Sequence, residues 1–204
     1  MSISKITIIC VFTALYLASV KLVSYQGKEF YSDRIEPKVY DISHKYLPKY
    51  MGDQKKYKDC IFIILGVVLV VFGKEKKFEI VEKIVGLFIT IVLMRCITTS
   101  CTILPKTTRQ CQDNQDDLLT TFGIGKGNCY DLIFSGHFAL GFIITLVFFE
   151  YKLISILFLI FFNIINAGLI LTTRSHYTID IIVSFLATMF VYQNNFNIFT
   201  NTIL

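Results

Sequence analysis

The sequence predicts an all-α membrane protein built as a bundle of six membrane-spanning helices. Hydrophobic residues make up 54% of its 204 positions, charged residues make up only 17%, and the net charge is +5, with a mean hydropathy of +0.60. A water-soluble domain of this size needs a polar shell that so few charges cannot supply. The uncharged run 153–173 contains 21 residues, which reaches the ~20 residues that a helix needs to cross a hydrocarbon layer. This composition argues against a soluble enzyme and against a disordered chain.

The six spans are predicted from apolar runs between charged residues. The first, 6–23, carries Lys21 near its end, where a long side chain can reach the membrane interface. A signal peptide is the alternative for this run. The three-residue connection 150–152 makes the fourth and fifth spans antiparallel neighbours. The other five runs are 60–73, 84–104, 132–149, 153–173 and 177–192.

Polar connections separate the spans of what we expect to be a single transmembrane domain over residues 1–204. The connection 24–59 contains two prolines and little helical periodicity, so it is expected to be an ordered or interfacial loop. With six spans, both termini share one side of the membrane with the turns 74–83 and 150–152. The basic residues lie in short segments rather than along one face, so nucleic acid is not an expected partner.

Ionisable side chains inside apolar runs indicate function, because a charge at the centre of a bilayer costs roughly 2.5 kcal/mol or more. His176 and Asp180 are four residues apart, so they share one helix face. A carboxylate at this spacing can accept the Nδ1–H of the imidazole and leave Nε2 available for attack or proton transfer. The residues of this kind are Arg95, Asp131, His137, Arg174, His176 and Asp180.

The predicted topology brings two histidines to the same membrane face, because His137 begins one span and His176 begins another span of the same direction. Two imidazoles at one depth, one of them paired with Asp180, suit covalent phosphoryl transfer: one attacks phosphorus and the other protonates the leaving alkoxide. This chemistry needs no metal and no other cofactor. A zinc site is the alternative, but two histidines and one aspartate without an H-E-x-x-H pattern support it weakly. For each histidine alone, an interfacial location without chemistry is the simpler interpretation.

Arg95, Thr98 and Thr102 form a polar stripe on an otherwise apolar helix, because their spacing places them on one face. A buried guanidinium beside hydroxyl groups suits a phosphate diester. A salt bridge to Asp131 or Asp180 is the alternative for Arg95. His44, in the long first connection, is expected at the surface.

The motifs that contain these residues resemble those of the sphingomyelin synthase family. The segment 129–138, C-Y-D-L-I-F-S-G-H-F, is similar to the family motif C-G-D-x-x-x-S-G-H-T, and 176–181, H-Y-T-I-D-I, matches H-Y-T-x-D-V. The segment 95–105 is similar to R-C-I-T…T-x-L-P, and 36–41, E-P-K-V-Y-D, is a weaker counterpart of P-P-L-P-D. The segment 129–138 departs from its family motif at two positions, where Tyr130 replaces the family's Gly and Phe138 replaces its final Thr.

The resemblance implies a six-helix bundle of the lipid phosphate phosphatase type, with its catalytic motifs at about 95–181. It implies that His176 is the nucleophile, that Asp180 orients it, and that His137 protonates the leaving diacylglycerol and then deprotonates the ceramide hydroxyl. Asp131 is implied as an auxiliary acid–base or orienting residue. An arginine upstream of the equivalent of His176 contacts phosphate in the wider superfamily. The candidate phosphate-binding residues are Arg95, Thr98, Ser135 and Arg174.

The implied activity is transfer of phosphocholine or phosphoethanolamine from a glycerophospholipid donor to a ceramide acceptor, with inositol as a further possible headgroup. A lipid phosphatase or phospholipase C-type hydrolase and a non-catalytic lipid-binding membrane protein are the alternatives. Family members carry this site on the lumenal or exterior face, which implies a multi-pass protein of the Golgi, endoplasmic reticulum or plasma membrane with both termini in the cytoplasm. The rule that basic loops stay in the cytoplasm conflicts with this orientation, because it would place 24–59 there. Cys111 and Cys129 share the exterior loop, so they can form a disulfide.

Overall fold

The computed structural model describes residues 3–31, 39–50, 54–107, 130 and 132–198, and within these ranges the chain is helical and contains no strand. All the helices except the five-residue α2 and the 3-10 helix correspond to the six predicted apolar runs, so the all-α prediction is confirmed. The helices are α1 (Ile3–Tyr31), α2 (Ile42–Tyr46), α3 (Gln54–Phe72), the 3-10 helix Lys74–Lys76, α4 (Lys77–Cys101), α5 (Gly136–Glu150), α6 (Ile156–Thr172) and α7 (Thr178–Gln193).

The first three long helices extend beyond the apolar runs at their polar ends. α1 continues past Val23 to Tyr31, and α3 begins at Gln54 rather than at Cys60. Helical hydrogen bonds are made by the backbone, so charged residues can prolong a helix past its apolar part. The expectation that 24–59 is a loop is therefore wrong for its first residues, its last residues and α2.

One segment among the described residues, Ile6–Tyr31, is long and apolar enough to cross a membrane by length and composition, and it lies near the N-terminus. The apolar segments in α3, α5, α6 and α7 are shorter. Large apolar side chains are nevertheless exposed on α3 and α6, including Val70 at 75%, Leu157 at 76% and Phe161 at 67%. Exposed apolar surface of this kind is typical of contact with lipid or protein. Six membrane crossings stay a prediction. For the first helix, a retained span and a signal peptide stay alternatives.

α5 is the central helix of the bundle and packs against α3, α4, α6 and α7. It is apolar around most of its circumference, as expected for a helix that is covered on several sides. Ile143 and Val147 of α5 are completely buried together with Leu87 and Ile91 of α4. A second cluster between α5, α6 and α7 contains Phe138, Phe142, Leu146, Leu159, Ile170 and Ile181.

Polar side chains gather at the two ends of the bundle. At one end, Glu150 accepts hydrogen bonds from Lys83 at 2.6 Å and from Tyr192 at 2.8 Å, which joins α4, α5 and α7. Tyr151 donates to Glu79 there at 2.6 Å. The turns after α3 and after α5 therefore share this end, as the topology predicts. The opposite end contains α2, the C-terminus of α4 and the N-termini of α5 and α7, and it holds the candidate site.

Candidate active site

His176 lies in the connection between α6 and α7 and is only 7% exposed. Its Nδ1 is 2.9 Å from the carbonyl oxygen of Leu132 and 3.3 Å from Oδ2 of Asp180. A carbonyl oxygen and a carboxylate oxygen accept but do not donate, so Nδ1 carries the proton. The lone pair of the neutral imidazole is therefore on Nε2. The pairing of His176 with Asp180 expected from their spacing is present, and the catalytic roles of both stay predictions.

Asp180 is completely buried in the first turn of α7. Its Oδ2 also accepts a hydrogen bond from the N–H of Tyr177, the N-cap residue of α7, at 2.8 Å. The same oxygen therefore completes a capping box at the start of the helix and faces His176. Its Oδ1 has no hydrogen-bond partner among the described residues. The N-terminus of a helix favours a negative charge, which is the charge that a partner of a protonated imidazole requires.

Ser135 joins the start of α5 to α7 and is completely buried. Its hydroxyl accepts from the N–H of Phe138 at 3.3 Å and so caps α5. Its N–H donates to the carbonyl oxygen of Asp180 at 3.4 Å, and its own carbonyl oxygen accepts from Ser184 at 3.0 Å. These contacts bring the two histidine motifs together. The predicted contact of Ser135 with phosphate stays a prediction.

His137 is exposed in the first turn of α5, with its ring centroid 6.4 Å from that of Phe62. Since it follows Ser135 by two residues, it lies at the same end of the bundle as His176. Phe138, which stands where the family motif has Thr, is buried against Phe142 at a centroid distance of 5.9 Å. This departure from the motif therefore belongs to the core between helices.

Arg95 is buried near the site end of α4. Its Nε donates to the carbonyl oxygen of Phe134 at 2.6 Å, and its Nη1 donates to the hydroxyl of Tyr16 at 3.4 Å. Nη1 lies 3.7 Å from the position that a Cβ would take on Gly136, the first residue of α5. A guanidinium beside a helix N-terminus is a favourable environment for a phosphate group. Contact of Arg95 with phosphate stays a prediction.

Thr98 and Arg174 make hydrogen bonds to the main chain. Thr98 donates to the carbonyl oxygen of Arg95 at 3.0 Å. The Arg174 guanidinium donates to the carbonyl oxygens of Ser43 at 3.2 Å and of His44 and Leu47 at 2.8 Å. Arg174 thus holds the end of α2 against the loop that carries His176. Contact of either side chain with phosphate stays a prediction.

His44 and its neighbours form part of the site, although the sequence predicts His44 at the surface. Its Nε2 lies 3.1 Å from the carbonyl oxygen of His176, and its ring lies 5.3 Å from that of Tyr177. Burial lowers the pKa of His44 below its ordinary value, more than the hydrogen bond to the carbonyl raises it. In the neutral imidazole, the tautomer with the proton on Nε2 is the one that can donate to this carbonyl. The surface prediction is wrong because α2 folds over the loop.

Asp131, Cys111 and Cys129 lie outside the described residues. The auxiliary acid–base role of Asp131 and the disulfide between Cys111 and Cys129 therefore stay predictions. Among the described residues, Cys10, Cys96 and Cys101 form no disulfide. Within the described ranges, no group of three or more His, Cys, Asp or Glu side chains is close enough to hold a metal ion.

Residues 128–197 match the family model described as PAP2 superfamily C-terminal. The matched segment includes both His137 and His176. The match supports the lipid phosphatase superfamily and a phosphatase or phosphotransferase activity on lipid phosphates, without distinguishing the sphingomyelin synthase family from other members. No curated protein matches the chain.

Proposed function

We propose that this chain transfers a phospho-headgroup from a glycerophospholipid to ceramide through a covalent phosphohistidine on His176. The observation that carries the proposal is the orientation of the His176 imidazole. Its Nδ1–H faces Leu132 and Asp180, so the lone pair that attacks the substrate in this proposal lies on Nε2. A nucleophile held in one tautomer and one orientation is what covalent catalysis requires. The products are diacylglycerol and a phosphosphingolipid such as sphingomyelin.

In the first half-reaction, the Nε2 lone pair of His176 attacks the phosphorus of the donor. The P–N bond forms while the P–O bond to the diacylglycerol oxygen breaks, and protonated His137 gives its proton to that oxygen. Asp180 stabilises the positive charge that develops on His176. Arg95 and the N-terminus of α5 stabilise the negative charge on the phosphoryl oxygens.

In the second half-reaction, the primary hydroxyl of ceramide attacks the phosphorus and gives its proton to His137. The new P–O bond forms while the P–N bond breaks and returns the lone pair to Nε2 of His176. Both histidines regain their starting protonation states, so the cycle closes without a cofactor. The donor is phosphatidylcholine or phosphatidylethanolamine in this proposal.

Hydrolysis is the second candidate, because water in place of ceramide resolves the same intermediate. The exposure of His137 favours this candidate, since a proton acceptor that is open to solvent can activate water. The match to the PAP2 superfamily supports a phosphatase and a phosphotransferase equally.

A membrane location fits this proposal, because both substrates are lipids and because α3 and α6 expose large apolar side chains. We propose a multi-pass protein of the Golgi, endoplasmic reticulum or plasma membrane, with the site on the lumenal or exterior face and both termini in the cytoplasm.

The test is an assay of the purified protein in detergent with fluorescent ceramide and, separately, phosphatidylcholine, phosphatidylethanolamine and phosphatidylinositol. We expect a labelled phosphosphingolipid and diacylglycerol from the wild type and neither from His176→Ala. Glu75→Gln, which changes an exposed carboxylate at the opposite end of the bundle, serves as the matched control and should keep full activity. Release of diacylglycerol without a labelled ceramide product supports the hydrolase. Equal products from the wild type and His176→Ala contradict the assignment of the nucleophile.

A further inference from the structure

We infer that Asp41 is a positioning residue for His176: its carboxylate holds the N-terminus of α7 and, through it, the loop that carries the nucleophile. Asp41 immediately precedes α2 and is buried. The inference rests on the proposed function for the identity of the nucleophile, and it adds a distant segment of the chain to the machinery that orients it.

The Asp41 carboxylate caps two helices at once. Its Oδ1 accepts from the Ser43 hydroxyl at 2.6 Å and from the His44 N–H at 3.0 Å, which begins α2. Its Oδ2 accepts from the N–H of Thr178 at 2.7 Å, and its Oδ1 accepts from the Thr178 hydroxyl at 2.9 Å. Thr178 is the first residue of α7, where the orphan N–H groups and the helix dipole favour an anion. The carboxylate that occupies this place comes from 137 residues earlier in the chain.

Two further contacts tie α2 to the same loop. His44 Nε2 is 3.1 Å from the carbonyl oxygen of His176. Arg174, two residues before His176, donates to three carbonyl oxygens at the end of α2. The loop is therefore held by the start of α2 on one side of His176 and by the end of α2 on the other.

Three successive main-chain groups of the loop are consequently hydrogen-bonded: the carbonyl of His176, the N–H of Tyr177 and the N–H of Thr178. The last of these depends on Asp41. Without the Asp41 carboxylate, the N–H of Thr178 in the first turn of α7 loses its hydrogen-bond acceptor. The loop that carries His176 can then shift. A displacement of about 1 Å at a reacting group can cost roughly 100-fold in rate.

Asp41 acts through position rather than through proton transfer. Burial raises the pKa of this carboxyl, but the hydrogen bonds from Ser43, His44 and Thr178 outweigh burial and bring it to about 2. A group that stays ionised throughout the neutral range is a poor general acid or base.

The kinetic test compares Asp41→Asn and Thr178→Val in the full chain. Asparagine keeps the size of the side chain but replaces one accepting oxygen by an amide that cannot accept, and valine removes only the Thr178 hydroxyl. We expect kcat of Asp41→Asn to fall roughly 10- to 100-fold with KM unchanged within about twofold. We expect a smaller fall for Thr178→Val, and little further loss when it is combined with Asp41→Asn. A raised KM with unchanged kcat contradicts the inference.

Amide hydrogen exchange tests the same inference independently of activity. In Asp41→Asn, the amides of Tyr177 and Thr178 should exchange about 10-fold faster, while those near Glu150 stay as in the wild type. If the wild type has no activity toward phospholipids but this local change occurs, the proposed function fails and the hold of Asp41 on the loop stands. Unchanged exchange at Thr178, or an equal increase throughout the bundle, overturns the inference. Should Asp41→Asn not fold, Thr178→Val, which removes only the hydroxyl contact to Asp41, should give a smaller increase at the same two amides, and unchanged exchange there overturns the inference.

Discussion

Tyr130 packs its ring directly against the main chain of Gly27. A Cβ built on Gly27 would lie 2.3 Å from Cγ of Tyr130. The Tyr130 ring also stacks on that of Tyr31 at 5.7 Å, and Nζ of Lys106 lies 5.0 Å from its centroid. Tyr130 stands where the sphingomyelin synthase motif has Gly, and a glycine on α1 provides the space that the larger side chain needs. α1 therefore packs against the residue that lies seven positions before His137.

Gly27→Ala is therefore expected to destabilise the protein. The added Cβ cannot avoid Tyr130 by changing rotamer, so the free energy of unfolding should fall by about 1–3 kcal/mol, measured by thermal unfolding in detergent. Gly66→Ala is the matched control, because no atom lies within 4 Å of its added Cβ. Its helix should be unchanged or stabilised by up to ~1 kcal/mol. Equal effects of the two substitutions contradict the packing argument. In a Tyr130→Gly background, Gly27→Ala should cost little further stability, because the ring that the added Cβ would meet is absent.

Asp180→Asn separates the cap of α7 from the charge beside His176. The side-chain oxygen of asparagine can still accept the N–H of Tyr177 from the N3 position, so the unfolding temperature should change little. The amide carries no negative charge and cannot stabilise a positive imidazole, so kcat should fall roughly 1,000- to 10,000-fold. The measurement is the headgroup-transfer assay with the wild type alongside. Activity within tenfold of the wild type argues against an orienting role.

Asn163 and Thr145 form a hydrogen bond between α6 and α5 in the interior of the bundle. Asn163 Nδ2 donates to Thr145 Oγ1 at 2.8 Å, and both residues are buried. Thr145→Val keeps the shape of the side chain and removes the acceptor, so it should cost about 0.6–1.7 kcal/mol of unfolding free energy. Thr13→Val is the control, because Thr13 donates to Ile9 within its own helix. A cost no greater than that of the control means that the interhelical bond does not stabilise the bundle.

Glu150→Gln tests whether the opposite end of the bundle affects the site. Glu150 accepts hydrogen bonds from Lys83 and Tyr192 at a partly exposed position. Ion pairs of this kind contribute at most about 1 kcal/mol to the free energy of unfolding. The unfolding temperature should fall slightly, while kcat and KM for phospholipid should equal those of the wild type. A fall in kcat of Glu150→Gln, with the protein still folded at the assay temperature, would show that this end of the bundle is coupled to His176.

Acid should weaken the contact between α2 and α7. The pKa of Asp41 is depressed from 3.8 to about 2 in the folded protein. A depressed pKa contributes stability above the unfolded value, and that stability is lost as the pH falls toward the folded value. The unfolding temperature of the wild type should therefore drop more steeply between about pH 4 and pH 2 than that of Asp41→Asn. Parallel curves for the two proteins contradict this assignment.

The sequence by itself determined the approximate positions of the six long helices and the pairing of His176 with Asp180, but it missed the short helix α2. Apolar runs specify helices through local backbone geometry, and the four-residue spacing of His176 and Asp180 predicts that their side chains meet. The pair does meet, but His176 lies just before α7 rather than on a shared helix face. The segment 36–41, which ends at Asp41, also resembles a family motif. That resemblance does not predict which residues contact the Asp41 carboxylate.

Only the tertiary structure decided that Asp41 and His44 lie at the loop of His176, and that Arg174 donates to the end of α2. These contacts join residues more than 120 positions apart. No periodicity or spacing rule extends over such a separation, because the meeting of two segments depends on how all the helices between them pack. The same reason explains why the space for Tyr130 is found on α1, at a glycine that the sequence alone does not connect with it.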